Sequence, residues 1–219
     1  TFSMNYNDYG GGEFLNGASI NGKLILKDGS TLENAKIYSN TNNIANGSEA
    51  RHNTDSVVVV NGNVTLKGKV FLRGDEAPTA TGKSYTGQTG MQVNGTLNLD
   101  KDAVLAVYGG GKDATTSNGG SAIILNGGTI TGEGKLIAVG GDGYFGEGGN
   151  AVSGNGTISV ADAYLEGGAS VSKSGTPGKA LGDGVKLAGT TNRNLIDGST
   201  GVRIDYDNDT YWRDILSVP

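Results

Sequence analysis

The stretch AIILNGGTIT, residues 122–131, places an apolar alternation, an Asn-Gly pair and a second alternation in a row. Alone it reads as a β-hairpin, because Asn-Gly between two alternating runs is the strongest short-range signal for a two-residue turn. The rest of the chain changes that reading. The same arrangement occurs as ASINGKLIL (18–26), VVVVNGNVTL (57–66), MQVNGTLNL (91–99) and AVSGNGTISV (151–160), anchored on Asn21, Asn61, Asn94, Asn126 and Asn155. Subtraction gives intervals of 40, 33, 32 and 29 residues. A loose period of about 30 residues points to a repeat architecture.

A meander of hairpins would give the copies no reason to resemble one another, since its strands are antiparallel neighbours. A solenoid supplies the reason. If each copy is one coil, equivalent strands of successive coils lie about 4.8 Å apart and pair in parallel, so that like residues stack on like. The fold expected is all-β, a right-handed single-stranded parallel β-helix of about five to six coils with three strands per coil. Asn61, Asn94, Asn126 and Asn155 then stack as a ladder at one corner, where Asn tolerates a left-handed backbone and its amide can bond the Asn above and below. The Gly that follows permits a positive φ.

The second and third strands of each coil are read in VTLKGKVFL (64–72), LNLDKDAVLAV (97–107), ITGEGKLIAV (130–139) and ISVADAYLE (158–166). Alternate Val, Ile and Leu fill the bore. The first coil, with KDGSTLENAKIYS, is longer between its second and third strands, as edge coils often are. One domain spans 1–219, with 1–17 as an N-terminal cap and 202–219 as a C-terminal cap or docking tail. In that tail Tyr211, Trp212, Ile215 and Leu216 are too apolar to leave in water.

Composition bounds the function. The 219 residues hold 40 Gly but 3 Pro and are 18% charged, which fits glycine used in the turns of a regular chain and does not fit a disordered one. A net charge of −5 and a pI near 4.9 leave no basic footprint for nucleic acid or an anionic membrane. Runs such as VVVV (57–60) and AIIL (122–125) are far short of the roughly 20 residues that span a bilayer, so membrane insertion is not expected. The absence of cysteine excludes disulfides, thiolate metal sites and a cysteine nucleophile. The chain opens at Thr1 without a basic, apolar-cored leader, and the expectation is that any export signal is removed or lies outside these residues.

The coil pattern, with GGSAIILNGGTITGEGKLIAVGGDGYFGEGGNAVSGNGTISV (119–160), resembles the Gly-rich parallel β-helix repeats of bacterial surface proteins. It also resembles the carbohydrate-binding β-helix proteins of anaerobic Gram-positive bacteria, distant relatives in shape of pectate lyases. The resemblance covers roughly residues 15 to 190. It implies export, a secreted or cell-surface setting, and calcium or polysaccharide binding.

Candidate chemistry is sparse. Asp205, Asp207 and Asp209 in DYDND resemble the start of a calcium loop, but an EF-hand would continue with Gly at 210 and Glu at 216, where this chain has Thr210 and Leu216. The choice is between a calcium site of another kind and a solvated acidic turn. A polysaccharide lyase or hydrolase on this scaffold would need carboxylates recurring in register, whereas Asp75, Glu76, Asp100, Asp102, Asp113 and Asp142 are scattered. His52 in SEARHNTDS has no nucleophile or oxyanion hole indicated beside it. GDGYFGEGG (141–149) does not open a helix after a strand, as a dinucleotide site would. No enzyme is expected.

Long insertions follow the third strand of each coil, at about 40–56, 73–90, 109–121, 140–150 and 167–182. Stacked, they would form a ridge carrying Tyr85, Tyr144 and Phe145, either to stack on sugar rings or to cover the solenoid flank. Two function classes follow. One is an adhesin-like module binding polysaccharide or a cell-surface glycan; the other is a structural subunit pairing with itself end to end into fibres or a surface layer.

Overall fold

The computed structural model describes residues 17–20, 23–39, 55–77, 85–111, 117–172 and 174–201. These form twelve strands and, among the described residues, no helix. In order they are β1 (Gly17–Ile20), β2 (Leu24–Lys27), β3 (Thr31–Ser39), β4 (Val58–Asn61), β5 (Asn63–Arg73), β6 (Met91–Val93), β7 (Thr96–Leu99), β8 (Val104–Tyr108), β9 (Ile123–Val139), β10 (Val152–Glu166), β11 (Gly184–Leu187) and β12 (Asn192–Ile196). Their ladders are all parallel. The chain is a parallel β-solenoid of about five turns.

Three ladders run along it. The first stacks β2, β4, β6 and the starts of β9 and β10. The second stacks the starts of β3 and β5, then β7, the middles of β9 and β10, and β11. The third stacks β1, the ends of β3 and β5, β8, the ends of β9 and β10, and β12. The Asn-Gly of AIILNGGTIT therefore sits inside the single strand β9, which pairs with the coils before and after it and never folds back on itself.

The first repeat is set differently from its sequence reading. Lys27 lies opposite Asn61, so the first corner is Lys27-Asp28-Gly29, and β1 belongs to the third ladder. Measured from Lys27 the first interval is 61 − 27 = 34 residues, in line with the 33, 32 and 29 that follow. Asn21, the apparent anchor, lies outside the described residues.

Inward residues fill one continuous core. Val64, Leu97, Ile130 and Ile158 stand opposite one another in successive coils of the second ladder, each at most 1% exposed. Burial of a side chain of this size is worth about 1.5–3 kcal/mol, and repetition at every level makes the bore the main source of stability. A second apolar cluster lies on the other side of the third ladder. Phe71, Ala106, Tyr108, Ile137 and Val139 alternate with bore residues such as Leu105 and Leu136, so they face outward. They are nonetheless buried, with Val104 and Tyr164 packed against them.

The glycines do more than turn the chain. The limb that leaves each third-ladder strand and the limb that returns alternate in one column of backbone hydrogen bonds. The amide of Gln88 donates to the carbonyl of Asp75 at 2.9 Å. At 2.8 Å each, Gly110 then donates to Gln88, Gly120 to Gly110, Gly141 to Gly120, Gly149 to Gly141, Gly168 to Gly149, Gly178 to Gly168 and Gly198 to Gly178. The limbs approach too closely for a side chain. A Cβ on Gly110 would stand 1.7 Å from the Asp75 carbonyl oxygen, and one on Gly141 2.0 Å from that of Gly110.

Candidate functional site

Three surfaces carry the polar and aromatic side chains of interest. The first is the Asn corner between the first two ladders. The Nδ2 of Asn94 donates to Oδ1 of Asn61 at 2.6 Å, and that of Asn126 to Oδ1 of Asn94 at 3.3 Å. Asn155 departs from the series: its Oδ1 accepts from the backbone of Gly127 at 2.9 Å. The left-handed residues at this corner are Gly62, Gly127 and Gly154, and none of the four asparagines is among the residues of positive φ. The amides therefore tie the coils together while glycine makes the bend.

The insertion edge is the second surface. The amide of Asn118 donates to the carbonyl of Tyr85 at 2.8 Å, that of Tyr144 to Ser117 at 3.1 Å, and that of Ser172 to Tyr144 at 2.7 Å. Oδ1 of Asn118 holds the amide of Glu147 at 2.9 Å. These rungs place Tyr85 and the Tyr144-Phe145 pair on one edge, with the level of Ser117 and Asn118 between them. The rings of Tyr144 and Phe145 meet edge to face with centroids 4.9 Å apart, and Phe145 is 53% exposed. Tyr85 and Tyr144 are half-buried.

Acidic residues of this edge and of the turn between β7 and β8 are engaged in structure. Asp142 is buried and accepts the amide of Ala169 at 2.8 Å, clipping one coil to the next. Glu76 pairs with Arg73 at 3.3 Å, Asp75 accepts the amide of Glu76, and Asp100 that of Lys101. Asp102 adopts a left-handed turn, φ 66°. On the return limb Lys179 pairs with Asp183 at 2.7 Å. Their hydrogen bond, and then their opposite charges, hold the Asp183 carboxyl below and the Lys179 amine above its ordinary value. Among the described residues, no group of three or more His, Cys, Asp or Glu could hold a metal ion. His52, Asp113, the triplet Asp205, Asp207 and Asp209, and Tyr211, Trp212, Ile215 and Leu216 lie outside the described residues, as do nearly all of the segment 1–17 and all of 202–219.

The third surface is the outward side of the second ladder. Asn63 and Thr65, Thr96 and Asn98, Thr129 and Thr131, and Thr157 and Ser159 occupy the same two positions in four successive coils. Reading the repeat for its apolar, inward positions passes over this surface. Its signal is visible in the sequence as NVT, TLN, TIT and TIS, each around a bore residue.

Comparison of the chain with protein-family models, with curated proteins and with solved structures finds no match. The fold stands on its own strand pairing.

Proposed function

We propose that this chain is a non-enzymatic, adhesin-like module of an extracellular bacterial surface protein, binding polysaccharide along the insertion edge. The observation that carries the reading is the Tyr144-Phe145 pair, which leaves the Phe145 ring exposed on an edge it shares with Tyr85. An exposed ring offers a pyranose an apolar face at low conformational cost, and neighbouring levels of a solenoid suit an extended chain. Carboxylates on the same side hold backbone amides and an arginine, which supports binding over bond cleavage.

Affinity electrophoresis against soluble polysaccharides, xylan, pectin and starch among them, tests the proposal. Retardation of the wild type that disappears in Phe145→Ala supports it; retardation unchanged in that variant, or no retardation by any glycan tried, overturns it.

A second reading, end-to-end assembly, rests on the last described coil. Beyond β11 and β12 no further ladder is formed among the described residues, and Leu195 and Ile196 are exposed. An open parallel edge can accept another strand. Sedimentation velocity over a concentration series separates a monomer from growing filaments.

A further inference from the structure

We propose that the outward face of the second ladder is a separate binding surface and that its ligand is the surface lattice of ice. The argument starts from register. Thr65 lies opposite Asn98, Asn98 opposite Thr131 and Thr131 opposite Ser159, while Asn63, Thr96, Thr129 and Thr157 make a second file beside them. The irregularities of the β9-β10 pairing fall on either side of residues 157–160, so the files are unbroken. Each pair flanks a fully buried bore residue, Val64, Leu97, Ile130 or Ile158, which fixes it outward.

Among the described residues, no hydrogen bond or other polar interaction engages the side chains of Thr65, Thr96, Thr129, Thr131, Thr157 or Ser159. The two files in these four coils contain no charged and no aromatic residue. Charge meets the files only at their ends, where Asn63 bonds Asp28 and Lys186 stands opposite Thr157, and a sugar finds no ring to stack on. What the face offers is the methyls and hydroxyls of five threonines, β-branched side chains with few rotamers to lose, beside the hydroxyl of Ser159 and the amides of Asn63 and Asn98.

Their spacing selects the ligand. Coils repeat at about 4.8 Å, and alternate residues along a parallel strand at about 6.6 Å. In a tetrahedral water lattice joined by bonds of about 2.75 Å, next-nearest oxygens lie about 4.5 Å apart, and the hexagonal axis repeats at 8/3 of a bond, about 7.3 Å. The mismatch is about 0.3 Å per coil, accumulating to about 1 Å over these coils, and about 0.7 Å between the two files, which rotamer adjustment can absorb. A ligand that repeats in two directions engages many weak contacts at once, so no single strong contact is required.

The experiment uses the full chain. Freezing hysteresis and inhibition of ice recrystallisation are measured for the wild type, for Thr131→Lys and for Phe145→Ala, with circular dichroism melts to verify folding. The expected result is activity in the wild type, its loss in Thr131→Lys at an unchanged melting temperature, and its retention in Phe145→Ala. Wild-type activity no greater than that of serum albumin overturns the proposal, as does activity that survives Thr131→Lys. Should Thr131→Lys misfold, Thr96→Val, which deletes a hydroxyl at constant shape, takes its place under the same criteria. If instead microcrystalline cellulose or chitin pulls down the wild type and not Thr131→Lys, while ice growth is unaffected, the face belongs to a solid glycan and the ice reading falls. Failure of the insertion edge registers separately, in the response of soluble polysaccharide binding to Phe145→Ala.

Discussion

The outward faces of the second and third ladders share one backbone geometry and meet opposite fates. On the second ladder the outward files of four coils are Thr, Asn and Ser and are half-buried or exposed; on the third they include Phe71, Ala106, Tyr108, Ile137 and Val139 and lie buried. Inward residues are alike in both. The difference teaches that a solenoid repeat carries two messages: inward positions specify the coil, and outward positions specify which flank is to be covered. Beyond the third ladder the chain runs on into the glycine column, whose limbs close to distances only Gly permits.

Breaking that column gives the largest expected effect. In Gly110→Ala the new methyl would sit 1.7 Å from the Asp75 carbonyl oxygen, so backbone must move and the hydrogen bonds on both sides of Gly110 must stretch. A loss of about 3–5 kcal/mol is expected in urea unfolding, in the range reserved for backbone disruption. Gly127→Ala is the control. Its Cβ meets nothing within 4 Å, and its φ of +73° costs an L-residue only about 1 kcal/mol. Equal losses in the two variants would mean that the column is no clamp.

Next comes the comparison of the two faces themselves. Ile137→Ala removes buried methyl groups from the covered cluster and should cost about 2–4 kcal/mol, while Thr131→Ala on the bare face should stay within about 0.5 kcal/mol. Denaturant midpoints of the two variants decide the matter. A small loss for Ile137→Ala would show that the cover is loose enough to collapse onto the cavity.

The Asn corner should respond more weakly. Asn94 donates to Asn61 and accepts from Asn126 and Gln92, so Asn94→Ala removes three amide contacts from an exposed site. Exposed bonds exchange with water at little net cost, and about 1 kcal/mol is expected by the same unfolding measurement. Asn155→Ala removes one bond to backbone and should cost no more than that.

How much of this was legible in the sequence follows from the same division. The coil was legible, because alternation identifies inward residues and recurrence of Asn-Gly identifies the corner. Its phase in the first repeat was not: Asn21-Gly22 imitates the corner, whereas Lys27 occupies it, and pairing with the next coil decides between them. The role of Gly110, Gly141 and Gly178 was hidden for a different reason. A glycine in a turn and a glycine under a neighbouring peptide look identical in a sequence, and only the approach of the limbs distinguishes them. The insertion edge could be placed from the repeat, but which ring stands clear of it depends on the packing of Tyr144 against Phe145. The threonine files were present as letters and became a surface once their register was known.

The smallest effect expected is electrostatic, and it tests whether charge contributes to the clamp. Lys179 and Asp183 lie on the limb that returns from the glycine column, directly after Gly178. The Asp183 carboxyl is held below its ordinary 3.8 by the hydrogen bond from Lys179 and then by its charge. A depressed carboxyl contributes stability that is present above the unfolded value and lost as pH falls through the folded one. The raised Lys179 amine contributes stability below its ordinary 10.5 that is lost as pH rises through the folded value. The pair should therefore act across neutral pH and fade only at the acid and alkaline extremes. Because its side chains are 56% and 91% exposed, solvent screens the attraction. The melting temperature of Asp183→Asn should lie only slightly below that of the wild type at neutral pH, and the two should converge as the pH falls and the Asp183 carboxyl of the wild type is protonated. A neutral-pH drop as large as that of Ile137→Ala would overturn the view that packing, and not charge, holds the covered face closed.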